Sequence, residues 1–277
     1  MSDLITMDDL TNDEIVEILD AADRLLPVAK GDVYAPLLQG KVLGNLFFEN
    51  STRTRMSFES AMKRLGGEVL NLSSVGSSVA KGETLYDTMQ MVDGYSDIAV
   101  IRHPQQGAAQ YSADAVEIPV LNAGDGAGDH PTQTMLDLFT IRQAHGTLEG
   151  LNVVLVGDLR YGRTTHSLSH ALVRFGAKLT LVSPESLTMP AEIVGDLQRH
   201  GADVTESEDM ASAIPEADVI YMTRIQKERF PDEDEYTKVA GIYKMTADDL
   251  SGAKGGMIVM HPLPRVDEID PSVDSTK

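Results

Sequence analysis

The chain has 277 residues, 42% of them hydrophobic, which is enough for one large domain or two of ordinary size with a real core. It contains no cysteine, which excludes a disulfide framework, a thiolate nucleophile and a cysteine-built zinc site. The formal net charge of −20 argues against a nucleic-acid-binding surface, because such a surface needs a basic footprint.

The acidic residues are spread along the whole chain. This composition resembles that of proteins from salt-loving organisms, and an acidic protein from an ordinary organism is the alternative. No apolar run approaches the ~18 residues that a membrane-spanning helix needs. The first residues, Met1 to Ile5, have neither the basic start nor the apolar core of a signal peptide. We therefore expect a cytoplasmic, halophilic protein that binds neither membrane nor nucleic acid.

The first half of the chain alternates between predicted helices and strands. Residues 11–29 have helical periodicity, Thr11 and Glu14 form a capping-box pattern, and Pro27 and Gly31 are expected to end this helix. Further along, strands are predicted at 42–48, 68–72, 97–101 and 118–122, and helices at 53–65, 83–94 and 105–114. This alternation is typical of a parallel sheet with crossover helices.

The second half repeats this alternation after a long helical pattern, Thr132 to Ala144. Strands are predicted at 151–156, 178–183, 202–206, 217–223 and 256–260, and helices at 163–175, 190–200 and 208–214. We place the domain boundary in the connecting helix, with one domain at 1–131 and a second at 132–277. The predicted fold class is α/β: two Rossmann-like domains, each a parallel sheet flanked by helices, with the active site in the interdomain cleft.

The stretch with the most chemical information joins the first predicted strand to the helix after it. It reads Ser51-Thr52-Arg53-Thr54-Arg55 and places hydroxyls, backbone N–H groups and guanidiniums at a helix N-terminus. Free amides, the positive end of the helix dipole and a fork-shaped cation all favour a phosphate there. An ordinary hydroxyl cap with a solvated arginine is the competing interpretation, and the stretch alone favours neither.

Basic or imidazole side chains also follow other predicted strands, at the sheet edge where open parallel sheets bind ligands. They are Arg102, His130, Arg163, Arg224, and the histidine and arginine of His261-Pro262-Leu263-Pro264-Arg265. Each has an ordinary alternative, such as a surface ion pair for Arg102 or a core histidine at His130. The spacing Gly157-x4-Gly162 is not that of a dinucleotide site. Their recurrence in a chain with few basic residues favours one anion-binding site.

Three motifs resemble the signatures of the carbamoyltransferase family. They are Ser51-Thr52-Arg53-Thr54-Arg55, His130-Pro131-Thr132-Gln133 and His261-Pro262-Leu263-Pro264. The loop Lys81-Gly82-Glu83-Thr84, the run from Arg224 to Arg229 and the leucine at 263 resemble the aspartate branch specifically. The ornithine branch typically has His-Cys-Leu-Pro and a Ser-Met-Gly loop, and this sequence has neither. The terminal helix that packs on the first domain in the family is missing from this sequence.

The resemblance implies transfer of the carbamoyl group from carbamoyl phosphate to the amino group of L-aspartate. The products are N-carbamoyl-L-aspartate and phosphate, in de novo pyrimidine biosynthesis. Residues 1–131 would be the carbamoyl phosphate-binding domain, and 132–277 the aspartate-binding domain. No cofactor and no metal are implied, and the sequence has no cluster with metal-ligand spacing.

The resemblance also assigns roles to individual residues. The carbamoyl phosphate site would comprise Ser51, Thr52, Arg53, Thr54, Ser77, Arg102, His130, Gln133, Leu263 and Pro264. The aspartate site would comprise Lys81, Arg163, Arg224 and Gln226, and the catalytic set Arg53, Thr54, Lys81, Arg102 and His130. The loop before Lys81 is one residue shorter than in some relatives, so either Ser77 or Ser78 is the phosphate contact.

The implied partners are the two substrates and further copies of the chain. Lys81 and Ser77 would reach the site on a loop from a neighbouring subunit, which makes a homotrimer with shared active sites. A separate regulatory chain in a larger assembly is left open. A cationic acceptor such as ornithine would want acidic partners where Arg163 and Arg224 stand. A non-catalytic phosphate-binding module would not need Lys81, His130 and Gln133 together.

Overall fold

The computed structural model describes residues 3–74, 76–126, 128–225, 232, 236, 237, 239 and 241–276. Its contacts divide the chain into two compact units, Met1–Met135 and Leu136–Lys277. The division lies inside the long helix α5, Pro131–His145. Each unit contains a parallel sheet with helices packed on it, which confirms the predicted fold class of two parallel α/β domains.

The first unit is built around a four-stranded parallel sheet in the order β2-β1-β3-β4. Its strands are β1 (Val42–Phe47), β2 (Glu68–Ser73), β3 (Ile98–His103) and β4 (Val120–Asp125). Its helices are α1 (Asn12–Lys30), α2 (Arg53–Arg64), α3 (Leu85–Asp93) and α4 (Ala108–Ala115). Two apolar clusters cover opposite faces of the sheet, one with α2 and the other with α3 and α4. Strands buried on both faces explain the near-continuous apolar runs in the sequence.

The second unit contains a five-stranded parallel sheet in the order β7-β6-β5-β8-β9. Its strands are β5 (Asn152–Val156), β6 (Lys178–Val182), β7 (Val204–Ser207), β8 (Val219–Met222) and β9 (Ile258–Met260). Its described helices after α5 are α6 (Arg163–Val173), α7 (Ala191–Arg199) and α8 (Met210–Ala213). Central strands β5 and β8 are almost completely buried, so the polar groups of this unit that meet ligands must lie beyond the strand ends.

The helix ends follow the expected chemistry with one exception. Thr11 and Glu14 form the predicted capping box at the start of α1. Pro27 does not end α1, which continues to Lys30 and stops at Gly31 with φ of 85°. A proline in the last turn removes only one backbone hydrogen bond there, so the helix tolerates it. In the described part of the chain, no helix has both the length and the apolar character required to cross a membrane.

Two strands of the first sheet are longer than predicted. β3 continues through His103, so Arg102 lies inside the sheet, where its carbonyl accepts the Phe48 N–H at 2.9 Å. β4 continues to Asp125, which pairs with His103, so this strand ends three residues beyond its predicted end at residue 122. The ladder to a neighbouring strand outweighs the low strand propensity of glycine and aspartate. A short 3-10 helix, Ser78–Lys81, lies between β2 and α3.

Candidate active site

The predicted phosphate residues lie at the carboxyl edge of the first sheet, between β1 and β3. The chain leaves β1 for β2 on one side, whereas β3 pairs with β1 on the other side. Ligands of open α/β sheets bind at such a switch point. Phe47 of β1 pairs with Arg102 of β3, so the segment Ser51 to Thr54 starts beside that arginine.

The start of α2 is open to an anion. Thr52 is the N-cap, but its side chain makes no capping hydrogen bond, and no acidic residue occupies the first turn. Thr52 and Arg53 are both exposed. The ordinary-cap alternative would have the Thr52 hydroxyl occupied by the helix, which is not the case. Positive dipole, hydroxyls and a guanidinium therefore remain together for a phosphate.

Arg102 is held in place, unlike Arg53. Its Nη2 lies 2.8 Å from Oε2 of Glu49, and its Nη1 donates to the Ala123 carbonyl at 3.1 Å. The Arg102 side chain is 14% exposed, so the ion pair with Glu49 is partly buried. It is not the solvated surface ion pair that was the alternative interpretation of Arg102. The sequence analysis assigned no role to Glu49. Its position just before the arginine-containing segment Ser51 to Arg55 was a usable signal, because a carboxylate there can pair with an arginine. The carboxylate orients the guanidinium at the sheet edge.

His130 lies directly before α5 and is held there by hydrogen bonds of its backbone and its ring. Its N–H donates to Oδ1 of Asp129 at 2.8 Å, and its carbonyl accepts the Thr134 N–H at 3.2 Å. Its Nδ1 accepts the Gln133 N–H at 3.3 Å, which places the ring proton on Nε2. A buried imidazole with its Nε2–H as donor suits an oxygen that gains negative charge. Pro131 follows at the first helical position, as expected.

Asn122 is a buried residue that organises the turn leading to His130, and sequence reasoning missed it. Its Nδ2 donates to the carbonyls of Ile5 at 2.9 Å and Asp129 at 3.1 Å, and to Oδ1 of Asp125 at 3.1 Å. Its Oδ1 accepts the Gly124 N–H at 2.8 Å. An asparagine inside an otherwise apolar strand was the available signal, because a buried amide needs several partners.

The loop that bears Ser77 and Lys81 begins at the carboxyl end of the edge strand β2. Ser77 is half-buried, and its hydroxyl donates to the Ser74 carbonyl at 3.2 Å. Ser78 and Lys81 are exposed at the two ends of the short 3-10 helix. The structure therefore leaves the choice between Ser77 and Ser78 open.

In the second unit, Arg163 and Arg224 follow adjacent strands. β5 lies between β6 and β8, which makes the β5–β8 boundary the switch point of this sheet. The Thr223 N–H donates to the Val156 carbonyl at 2.8 Å, and the Asp158 N–H donates to Oγ1 of Thr223 at 3.1 Å. Arg163 is the first residue of α6, and both arginines are half-buried. Two cations at neighbouring strand ends match an acceptor with two carboxylates.

Close backbone approaches explain the glycines that frame this loop. Gly157 has φ of 120°, and a Cβ there would lie 2.3 Å from the Thr223 carbonyl oxygen. A Cβ on Gly162 would lie 2.4 Å from the Asp158 carbonyl oxygen. These contacts require glycine for packing of the loop, so the pair needs no dinucleotide to account for it.

Side chains of the same loop hold its shape. Oδ1 of Asp158 accepts the Tyr161 N–H at 2.9 Å, and Nε2 of His166 lies 2.8 Å from the Leu159 carbonyl oxygen. Burial lowers the pKa of His166, so the neutral ring donates this hydrogen bond at neutral pH. The backbone before Arg163 is therefore fixed on two sides.

The last predicted segment follows β9. Leu263 has φ of 61°, its peptide bond to Pro264 is cis, and its side chain is exposed. Nδ1 of His261 accepts the Leu263 N–H at 2.8 Å. Arg265 pairs with Asp274. Gln226, expected at the aspartate site, lies outside the described residues.

Each unit thus collects its own set of predicted residues. Strand ends β1, β3 and β4 of the first unit bear Ser51, Thr52, Arg53, Thr54, Arg102, His130 and Gln133. Strand ends β5, β8 and β9 of the second unit bear Arg163, Arg224, Leu263 and Pro264. Lys81 and Ser77 lie on the separate β2 loop.

Known proteins resemble this chain in both sequence and structure. The sequence profile of the aspartate/ornithine carbamoyltransferase carbamoyl-P binding domain matches residues 2–143, and that of the Asp/Orn binding domain matches 149–277. The aspartate carbamoyltransferase catalytic subunit of Archaeoglobus fulgidus is 55% identical over 278 residues, covering 100% of this chain and 92% of the relative.

Two solved structures extend the comparison. The catalytic subunit of M. jannaschii aspartate transcarbamoylase superposes with a TM-score of 0.93 at 48% identity, covering 99% of this chain and 90% of that one. Aspartate transcarbamoylase from Trypanosoma cruzi, in complex with carbamoyl phosphate and aspartate, gives a TM-score of 0.92 at 39% identity, covering 99% and 89%. The chain belongs to the aspartate/ornithine carbamoyltransferase family.

Proposed function

We infer that this chain transfers the carbamoyl group of carbamoyl phosphate to the amino group of L-aspartate. The products are N-carbamoyl-L-aspartate and phosphate, in pyrimidine synthesis. The observation that favours aspartate within the family is the placement of Arg163 and Arg224 beyond adjacent strands of the second sheet. The relatives of high identity are named for the same activity.

The reaction needs charge stabilisation more than covalent chemistry. The amine nitrogen attacks the carbonyl carbon, negative charge collects on the carbonyl oxygen, and the carbon–oxygen bond to phosphate then breaks. The leaving phosphate dianion can take the proton that the amine loses, so the proposal assigns no protein base. One donor aimed at the developing oxyanion contributes about 3–4 kcal/mol of transition-state stabilisation.

The residue roles follow from this chemistry. Ser51 to Thr54, with Ser77, would hold the phosphate. Arg102, His130 and Thr54 would donate to the carbonyl oxygen, and both Arg102 and His130 are held by hydrogen bonds of their own. Pre-positioned donors need no rearrangement when the charge develops.

The remaining roles divide between amide and acceptor. Gln133 and the carbonyls of Leu263 and Pro264 would bind the carbamoyl NH2. The aspartate carboxylates would be bound by a set of cationic and amide side chains: Lys81, Arg163, Arg224 and Gln226. On this proposal, residues 1–131 form the carbamoyl phosphate domain and 132–277 the aspartate domain.

An acceptor comparison tests the function directly. The purified protein is incubated with carbamoyl phosphate and either L-aspartate or L-ornithine, and the carbamoylated product is quantified. We expect N-carbamoyl-L-aspartate and no citrulline above the rate without enzyme. Citrulline as the main product would assign the chain to the other branch of its family, and no product with either acceptor would refute the proposal.

We further propose a homotrimer in which Lys81 and Ser77 serve the site of a neighbouring subunit. Lys81 is exposed on a loop beside the edge strand β2, and that edge exposes the large apolar side chains of Leu70 and, on α2, Met56. Exposed edges of this kind favour association with another chain.

A mixing experiment tests the shared site. Lys81→Ala and Arg53→Ala chains, each inactive alone, are co-expressed and purified as mixed trimers. Some sites then receive Lys81 and Arg53 from two intact contributors, so partial activity is expected. Mixed assemblies as inactive as either parent would show that each chain builds its site alone.

The charge of −20 supports a last proposal, that the protein works in the salt-rich cytoplasm of a halophile. Salt screens the repulsion among acidic side chains, so the unfolding temperature should rise between low salt and about 2 M KCl. An unfolding temperature that is equal in the two solutions would remove this proposal.

A further inference from the structure

The segment from His261 to Glu268 closes on itself through its first and last side chains. Nδ1 of His261 accepts the Leu263 N–H at 2.8 Å. The Glu268 carboxylate accepts the N–H groups of Val266 at 3.1 Å and Asp267 at 3.1 Å. Nε2 of His261 lies 2.8 Å from Oε1 of Glu268. One short loop is thus held at both ends by two side chains that contact each other.

These two side chains are buried in a part of the chain that is otherwise largely exposed. The side chains of His261 and Glu268 are 4% and 7% exposed, whereas Leu263 is 49% exposed. The carbonyl of Glu268 also accepts the Met245 N–H at 2.9 Å, which connects the loop to the apolar core that contains Met245. A buried carboxylate is costly unless it is hydrogen-bonded, and this one accepts the N–H groups of Val266 and Asp267.

The contact between His261 and Glu268 lies beside an unusual backbone conformation at Leu263. Its φ of 61° is in the left-handed region, which a leucine rarely adopts and glycine adopts freely. Such a conformation persists only where the surroundings determine it, and it concentrates at ligand sites. The Leu263 N–H has its partner in the imidazole of His261, so the histidine selects this backbone conformation.

The hydrogen bonds also specify the form of the imidazole. Because Nδ1 accepts the Leu263 N–H, the ring proton must be on Nε2, facing Glu268. Burial lowers the pKa of His261, the nearby Glu268 carboxylate opposes this effect, and the guanidiniums of Arg224 and Arg265 add to it. A neutral ring keeps Nδ1 as an acceptor.

We propose that His261 and Glu268 are positioning residues that fix the Leu263 and Pro264 carbonyls and thereby select a carbamoyl NH2 over an acyl methyl group. The inference rests on the proposed function, in which these carbonyls accept the amide hydrogens of carbamoyl phosphate. Acetyl phosphate has the same phosphate and carbonyl but a methyl group in place of NH2. A misplaced pair of carbonyls therefore weakens binding of carbamoyl phosphate and leaves that of acetyl phosphate unchanged.

Two substitutions at one position separate the two ring nitrogens. In His261→Asn, the side-chain oxygen can occupy the place of Nδ1 and accept the Leu263 N–H. In His261→Gln, the amide reaches the place of Nε2 beside Glu268, but the acceptor at Nδ1 is lost. Lys244→Gln is the control, because it removes an exposed ion pair with Asp270 elsewhere in the same unit.

The experiment measures dissociation constants of carbamoyl phosphate and acetyl phosphate by calorimetry for the full chain and each variant. The ratio of the two constants is the readout. We expect His261→Gln to reduce the preference for carbamoyl phosphate roughly 10-fold, the value of about one lost hydrogen bond. His261→Asn should retain the preference within roughly 3-fold, and Lys244→Gln should leave it unchanged.

The outcomes distinguish this inference from the proposed function. An unaltered preference in His261→Gln, or equal losses in both histidine variants, would overturn the positioning role. A general loss of folding would weaken both ligands together and leave the ratio unchanged, which counts against the inference as well. Failure of the wild-type chain to make N-carbamoyl-L-aspartate would instead refute the function itself.

Discussion

The sheet edges that bear the candidate site residues are built in different ways in the two units. At the first sheet, Thr52 and Arg53 are exposed at a helix start that has no internal acidic partner. At the second sheet, the loops bearing the candidate residues are tied by side chains to backbone, as with Asp158 and His261. A phosphate dianion is recognised by charge and free N–H groups from many directions, whereas a small amino acid needs fixed spacing.

The first edge contains the same contrast on a smaller scale. Arg102 is fixed by Glu49 and the Ala123 carbonyl, and His130 by its own helix. The groups proposed for the carbonyl oxygen are therefore rigid, and those proposed for the phosphate are open. Rigid donors contribute most where charge changes during the reaction, and the phosphate already carries its charge when it binds.

The largest effect is expected at the open edge. Replacing Arg53 with alanine should lower kcat/KM for carbamoyl phosphate roughly 1,000-fold, about 4 kcal/mol, because the guanidinium that would pair with the phosphate is lost. Steady-state kinetics measure this loss. The matched control is Lys63→Ala on the same helix, which removes only an exposed pair with Glu59 and should change kcat/KM less than about 2-fold. Similar losses in both variants would mean that general positive charge suffices at this edge.

The second prediction concerns the stability of the second sheet, where Gly157 after β5 packs against Thr223 after β8. Gly157→Ala should destabilise the protein by about 3 kcal/mol or more, since the new Cβ meets the Thr223 oxygen and φ suits glycine alone. Gly150→Ala is the control, because its φ of 68° is also left-handed but its Cβ would meet nothing within 4 Å. It should cost about 1–2 kcal/mol. Thermal unfolding measures the loss of stability in both variants. Equal losses in Gly157→Ala and Gly150→Ala would show that the ends of β5 and β8 can move apart to make room for the new Cβ.

A third variant tests the need for fixed spacing. Arg224→Lys keeps the charge but loses the planar fork, so KM for aspartate should rise roughly 10–30-fold, about 1.5–2 kcal/mol, with little change for carbamoyl phosphate. Arg160→Lys is the control on the neighbouring loop, where the arginine contacts Tyr161 and the Ser186 carbonyl. An unchanged KM in Arg224→Lys would mean that this edge, like the first, responds to charge alone.

The smallest effect concerns acid sensitivity of the tied loops. Burial lowers the pKa of His166 below its usual value of 6.5. Below pH 6.5 the unfolded chain binds a proton that the folded chain resists, so stability is present above that pH and declines as the pH falls. His166→Gln keeps a donor for the Leu159 carbonyl without a titrating ring, so its unfolding temperature should fall less between pH 7.5 and 5.5, by roughly 1–3 °C. An identical decline in both proteins would place the acid sensitivity elsewhere.

Local patterns in the sequence predicted the alternating fold, both parallel sheets and most of the residues at the strand ends. Apolar runs and hydroxyl-rich helix starts are visible within a few residues, and so are their consequences. Glu49 beside Arg102, the hub at Asn122 and the contact of His261 with Glu268 depend on which distant segments meet. The same holds for the extra length of β3 and β4, which the ladder between strands determines against local propensity.

The register of β5 and β8 has a consequence for redesign. Val156 pairs with Met222, which brings Gly157 against Thr223 and starts the paths to Arg163 and Arg224 at the same level. A single-residue insertion in either strand would displace one path by about 3.3 Å and turn its side chains to the other face. Loop length, by contrast, changes at little free-energy cost. The pairing of β5 with β8 sets the spacing between Arg163 and Arg224. A redesign for a different acceptor substrate should therefore change loop side chains and keep this strand pairing.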